Sequence, residues 1–401
     1  MKPGFFWRRR HYFFLLHAGF LLMLTIMLQH LLVLYKDEST IIQLSTFLKM
    51  YLTPANKPDP NEFLFINTSY DNQLVDVFDE TGFIPLGNQP ITDREKLIEF
   101  LAIVDQYPEH KYLILDIFFE ASSPADSSLE SLLNSIPRNL SAHFLDNESQ
   151  AVYPSLDVPT GYVSVRVIND EFTKFRLSES DSSYSLPLKA YLEQSNSSYS
   201  HGAFISWLDH RPILNTYFLN YGINTYDLKI AREYPLINLG ELLWLGQENI
   251  QELIQNRWIV LGDFEQNDNI ETLFGSIPGP LLLMNVILSL ERKDARITVW
   301  YVLFLLLGFY FISSIVLNPH DRIGHFIGKL RFGEVIQNFL KGFALAIILS
   351  TISILSFFIF HIHVNILMLS LYLYGLDYLV IRLAKKSQLI VPEAEDQSSD
   401  S

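Results

Sequence analysis

Lys111–Phe119 reads KYLILDIFF, an apolar run interrupted only by Asp116. A run this short, rich in residues that suit a sheet, reads as a buried strand. Upstream, Glu62–Thr68 (EFLFINT) has the same character and ends in polar residues. Between the two, after a loop containing Gly and Pro, Asp93–Gln106 places Leu97, Ile98, Leu101 and Val104 at helical spacing, with Thr92 or Asp93 as N-cap. Downstream, Ser127–Ile136 repeats the amphipathic pattern behind Asp126 or Ser127, and Leu140–Leu145 follows as a further strand. Strand, helix, strand, helix, strand, with crossovers this long, predicts parallel pairing. The expected fold class is therefore an α/β domain with a mostly parallel core sheet.

The rest of the block fits that frame. Gly161–Ile168 alternates Tyr162, Ser164 and Arg166 with Val163, Val165 and Val167, and Phe172–Leu177 suits a returning hairpin strand; Ser178–Ser185 reads as a loop. Asn249–Gln255 reads as a short helix, Arg257–Leu261 (RWIVL) as another core strand, and Leu281–Leu290 as a helix after Pro278-Gly279-Pro280. That last helix runs through Glu291–Arg296 toward an apolar segment. It is expected either to continue almost unbroken or to end at a charged, flexible joint.

Four apolar segments flank the block: Phe13–Tyr35 before it, and Ile297–Leu317, Phe343–Phe360 and Val364–Ile381 after it. A hydrocarbon core of ~30 Å takes roughly 20 helical residues to cross, so each is expected to be a transmembrane helix. The first is too long for a signal-peptide core and lacks an A-x-A-like site, which predicts a retained anchor. Arg8, Arg9 and Arg10, then Arg322, Lys329, Arg331 and Lys341, then Arg382, Lys385 and Lys386 sit beside the spans and mark those segments as cytoplasmic. Arg292, Lys293 and Arg296 dissent, but they belong to a long domain, where the rule is weak. The expected layout is 1–36 as basic tail and first span, 37–296 outside, 297–381 as three spans with a cytoplasmic loop 318–342, and 382–401 as a short acidic tail. The expected location is a bacterial inner membrane, with both termini inside.

Charge separates the regions. Between Lys36 and Arg296 there are 18 Lys and Arg against 37 Asp and Glu, a formal −19 within a whole-chain −15. Such a domain disfavours nucleic acid and anionic lipid and suits a cation, a neutral polar ligand or a basic protein, although a solvated acidic surface explains the same count. The 401 residues contain no cysteine, so neither disulfides nor Cys-based metal sites are available.

The order of motifs resembles the type-2 CHASE family, extracytoplasmic sensory domains associated with bacterial cyclases and histidine kinases. The resemblance covers about Phe63 to Leu290. It rests on FLFINTS after Glu62, Thr92-Asp93-Arg94 opening a helix, Leu115-Asp116-Ile117-Phe118-Phe119 with Asp126 and Leu129, and Gly161-Tyr162-Val163-Ser164-Val165. Its most specific block is Ile259-Val260-Leu261-Gly262-Asp263, then Asp268, Thr272 and Pro278-Gly279. One span before the sensor and three after it also match that family's layout. Asn67 departs from a position commonly acidic in the family, and Asn269 from a histidine; a family member also continues into an output module, which the sequence given does not include. The resemblance implies a sensor acting on a separate membrane or cytoplasmic output protein; a homodimer is a further partner state to be expected.

In open α/β sheets, ligands bind outside the carboxyl ends of the strands. Candidate ligand-binding residues at those ends are Asn67, Ser69, Asp116, Glu120, Asp263, Asp268 and Thr272, with Thr68 and Glu265 nearby. The carboxylates suit a Ca²⁺-like cation or a cationic or hydroxyl-rich ligand; equally, Asp116 and Asp263 suit helix caps or turn braces. No G-x-S-x-G and no H-E-x-x-H occurs, and Gly324–Lys329 is one residue short of a phosphate loop and lacks its Ser or Thr, so no catalytic role is expected. A structural component of the cell envelope is the alternative to a sensor, and an extracytoplasmic enzyme is a weaker third. In the spans, Asp377 is expected at the cytoplasmic interface near Arg382, and Ile323–Phe339 as a helix on the inner membrane surface or against a partner.

Overall fold

The computed structural model describes residues 3–30, 36–52, 57–78, 85–145, 151–163, 167–168, 171–265, 268–317 and 334–389. They form two compact units, Met1–Tyr51 with Ile297–Ser401, and Leu52–Arg296.

Within Leu52–Arg296, a seven-stranded sheet runs in the order Leu236–Asn238, Phe63–Asn67, Trp258–Gly262, Tyr112–Asp116, Asn139–Leu145, Ala151–Val152, and Thr160–Tyr162 also pairs with Asn139–Leu145. Every pairing is parallel except that of Ala151–Val152. The last of these seven strands in sequence, Trp258–Gly262, thus lies between the first two.

Alternation divides the sheet into two faces. Leu64, Ile66, Leu113, Leu115, Ile259 and Leu261 join one core with Leu97, Phe100 and Leu101 of helix Arg94–Gln106, Leu129 and Leu133 of Asp126–Ser135, and Ile250 and Ile254 of Gln247–Ile254. Their neighbours Phe63, Phe65, Tyr112, Trp258 and Val260 are as deeply buried and face the other way, where helices Leu186–Ser195 and Gly279–Arg292 pack. The layers are helix, sheet, helix. Truncating one of these large apolar side chains to Ala typically costs 2–5 kcal/mol.

The helix begun at Arg94 is capped by Asp93, whose carboxylate accepts from the N–H groups of Glu95 (3.1 Å) and Lys96 (3.2 Å). The strand in KYLILDIFF stops at Asp116, short of the expected Phe119. Asp126 is the first helical residue and caps the preceding turn, accepting from Ser123 N–H at 2.7 Å. The segment before Asp93 is not all loop: Asn72–Phe78 and Pro85–Thr92 form an antiparallel hairpin. Ser178–Ser180 and Ser183–Tyr184 likewise pair within the expected Ser178–Ser185 loop. In the middle, Val167–Ile168 pairs with Glu171–Phe172, a shorter hairpin than expected, while Ser164 and Arg166 lie outside the described residues.

The helix Gly279–Arg292 does not continue into the apolar segment. Lys293 takes the left-handed conformation (φ 65°), Leu214 N–H donates to Ala295 O at 3.0 Å, and Arg296 bridges to Ile213. The next helix starts at Val299 under a Thr298 cap. The joint is neither an unbroken helix nor untethered, because its backbone pairs back onto the domain.

In the other unit, three helical stretches are long and apolar enough to cross a membrane: His11–Gln29, Val299–Val316 and Phe343–Phe360. In helix Ile366–Leu389 the apolar part is the shorter Ile366–Val380. His17 bridges helices through Ser313 Oγ (2.8 Å) and Tyr372 OH (3.1 Å), and Asn365 donates to Leu28 O at 3.0 Å. Asp377 is buried, 8% exposed, so it is enclosed by the helices of this unit. Of the expected surface helix Ile323–Phe339, residues 323–333 lie outside the described residues, as do Gly324–Lys329 and the acidic tail 390–401; from Glu334 the chain belongs to the helix Glu334–Phe360.

Candidate functional site: an acidic cleft at the carboxyl edge of the sheet

Parallel register sets the last residues of four strands side by side. Asn238 pairs with Asn67, Asn67 with Gly262, and Gly262 with Asp116. In front of this row lies a cleft of ≈ 590 Å³, within the range of small-molecule sites. Asp116, Glu120, Asp263 and Asp268 all line it, as do Arg94 and Gly279. The missed hairpin supplies Gln89 and Ile91 to its wall, and Phe118 and Phe144 add apolar surface, their rings edge to face at 4.7 Å.

The four carboxylates differ in what holds them. Asp263 braces a turn: it accepts Glu265 N–H at 2.7 Å and the Ser69 hydroxyl. Glu120 is exposed. Asp116 is partly buried, with Oδ2 fully enclosed and without a hydrogen-bond partner. Enclosure, and then the neighbouring Asp268, push the Asp116 carboxyl well above the usual carboxylate range. Burial first, and then Asp263, raise Asp268 to about 7. Buried carboxylates facing each other without a cation hold their protons, because desolvation and mutual repulsion both disfavour the charged form.

Two glycines permit this crowding. A Cβ on Gly262 would sit 2.4 Å from Pro280 Cγ and 3.2 Å from Asp116 O; one on Gly279 would sit 2.2 Å from Asp268 Oδ2. Gly279 N–H also donates to Asp268 O at 2.8 Å. Asp268 is thereby fixed at the start of the helix Gly279–Arg292.

Thr68 also lines the cleft, and the other expected residues lie elsewhere. Asn67 is buried behind the cleft, its Oδ1 accepting from Phe264 N–H (3.1 Å) and Ser69 N–H (3.2 Å) and its Nδ2 donating to Asn238 Oδ1 (2.9 Å). That donation needs an amide, since an ionised carboxylate has no proton to donate. Ser69 lies within reach of Asn67 Oδ1 (2.5 Å) and of Asp263. Asn67 and Glu265 line a second cavity of ≈ 760 Å³, where Lys229 pairs with Glu265 at 3.2 Å. Thr272 does not line the acidic cleft; it closes a tight turn, donating to Gly275 O (2.7 Å) and accepting from Phe274 N–H (3.1 Å). Among the described residues, no three His, Asp or Glu side chains converge as a metal-holding group.

Arg94 is the functional candidate that sequence reading passed over. Its side chain is 1% exposed, pairs through Nε with Asp126 at 3.4 Å, and lies over the Phe119 ring at 4.4 Å. Its Nε and Nη1 are both enclosed with no hydrogen-bond partner. The sequence shows only the first residue of a helix there, since Phe119 and Asp126 reach it from distant segments.

No protein-family model, curated protein sequence or solved structure matches this chain.

Proposed function

We propose that this protein is a membrane-anchored extracytoplasmic sensor that binds a ligand in the acidic cleft and passes its state to a separate partner. In this reading residues 37–296 lie outside a bacterial cytoplasmic membrane, four helices cross it, and both termini are inside. The observation that carries the binding role is the enclosed, unpartnered Asp116 carboxylate in a cleft at the carboxyl edge of a parallel sheet. The ordered motifs that resemble the type-2 CHASE family support the sensory role, and the basic residues beside the spans support the orientation.

The site also has a route outward. Gly279 lines the cleft and begins the helix Gly279–Arg292, whose far end is held by the joint before the apolar helix at Val299. A ligand that repositions Asp268 against Gly279 biases that helix if its two positions differ in affinity for the ligand.

Two experiments test the reading. The chain has no cysteine, so Ser182→Cys and Ser398→Cys each give a single thiol. In intact spheroplasts a membrane-impermeant maleimide should label Ser182→Cys and spare Ser398→Cys; the reverse pattern overturns the orientation. Affinity purification in mild detergent should recover a membrane or cytoplasmic partner whose yield changes with Asp116→Asn. A yield indifferent to that change would favour a docking role in the cell envelope.

A further inference from the structure

The cleft is acidic, yet one of its walls presents a cation. Arg94 lines it with Asp116, Glu120, Asp263 and Asp268, and its ion pair with Asp126 engages the Nε side of the guanidinium. That contact is an ion pair without a hydrogen bond, and Nε and Nη1 are both left enclosed and without a hydrogen bond, in a side chain 1% exposed. A buried donor in that condition carries a desolvation cost that a bound acceptor removes. Opposite in charge, Asp116 Oδ2 is likewise enclosed and unpartnered. Two orphaned groups of opposite sign, in one cavity of small-molecule size, ask for both signs of charge from the occupant.

We propose that the cleft binds a small zwitterion, an ammonium and a carboxylate on one molecule, with Arg94 taking the carboxylate and the Asp116–Asp268 pair taking the ammonium. This rests on the ligand-binding reading above and names its chemistry. Arginine's planar fork suits a carboxylate, and the Phe119 ring lies against it at 4.4 Å. A dicarboxylate or phosphate brings no ammonium to the Asp116–Asp268 pair. A simple amine leaves Arg94 unsatisfied. The upward displacement of the Asp116 and Asp268 carboxyls supports the ammonium subsite, because a bound cation compensates the charge that burial disfavours.

The test uses the full chain in lipid nanodiscs, with calorimetry and thermal melting. The probes are glycine, β-alanine, 4-aminobutyrate and 6-aminohexanoate, which separate the two charges by increasing distance, against butyrate, butylamine and CaCl₂. At least one zwitterion should bind ten-fold or more tightly than butyrate and butylamine, and raise the melting temperature. Asp116→Asn and Arg94→Lys should each weaken that zwitterion ten-fold or more. The comparison among probes on the unmodified chain stands even if a variant folds poorly. Butylamine or Ca²⁺ binding as tightly as every zwitterion overturns the zwitterion and leaves a ligand-binding cleft. Binding of none of the probes overturns both.

Discussion

Asp268 is where the cleft's electrostatics become measurable. Unfolded, its carboxyl loses its proton near the ordinary 3.8; folded, it keeps the proton to about 7. Between those values the unfolded state binds fewer protons, so stability falls as pH rises through that range. Asp116 pulls the same way, and Asp263 faces Asp268 as a further like charge. Asp268→Asn should therefore melt higher than the unmodified chain at pH 8, by roughly 2–4 °C for each kcal/mol recovered, with the gain shrinking toward pH 4. A gain that grows on acidification would contradict the assignment. Gly262 makes a steric counterpart: Gly262→Ala puts a methyl 2.4 Å from Pro280 Cγ and should cost ~1–3 kcal/mol, read as a lower urea midpoint. Neither consequence is visible in IVLGD alone, since Pro280 and Asp116 reach Gly262 only through the helix packing and strand pairing of the fold.

Elements were legible where their pattern is local. The strands around Phe63–Asn67 and Tyr112–Asp116 and the helix behind Asp93 follow from apolar runs and one cap. The hairpin Asn72–Phe78 with Pro85–Thr92 was not, because Pro85, Gly87 and Pro90 argue against a strand unless it lies at an edge, as this isolated two-stranded ribbon does. The helix end at Arg292 was one of two readings of the sequence, but what clamps it was hidden. Asp294, 3% exposed, accepts from Arg292 Nε at 3.1 Å and Ser289 Oγ at 3.3 Å, while Arg292 Nη2 also donates to Asn220 O, a partner far away in sequence. Exposed Lys293 carries the left-handed turn without glycine's freedom. Lys293→Gly should thus stabilise by about 0.5–1 kcal/mol, whereas Asp294→Ala should destabilise by about 1–3 kcal/mol, both by chemical denaturation. Equal effects of the two would mean the joint is not clamped.

At the scale of the molecule, the parallel sheet and the apolar helices could be anticipated, and the acidic edge could be located before any side chain was placed. The pairing of that edge with Arg94 could not, because burial of a charged residue is decided by what folds over it. The unit Leu52–Arg296 has its own two-faced core around the sheet. A fragment of residues 57–296 should accordingly be soluble and melt cooperatively by circular dichroism; aggregation on release from the apolar helices would refute that independence. The position of Trp258–Gly262 between Phe63–Asn67 and Tyr112–Asp116 also sets a timetable. Phe63 leaves the ribosome early but pairs with Trp258, so the middle of the sheet stays open until nearly the whole unit has been synthesised. Such long-range closure is slow, and it keeps the chain threadable for most of its synthesis, with the keystone strand arriving just before the segment that leads to Val299.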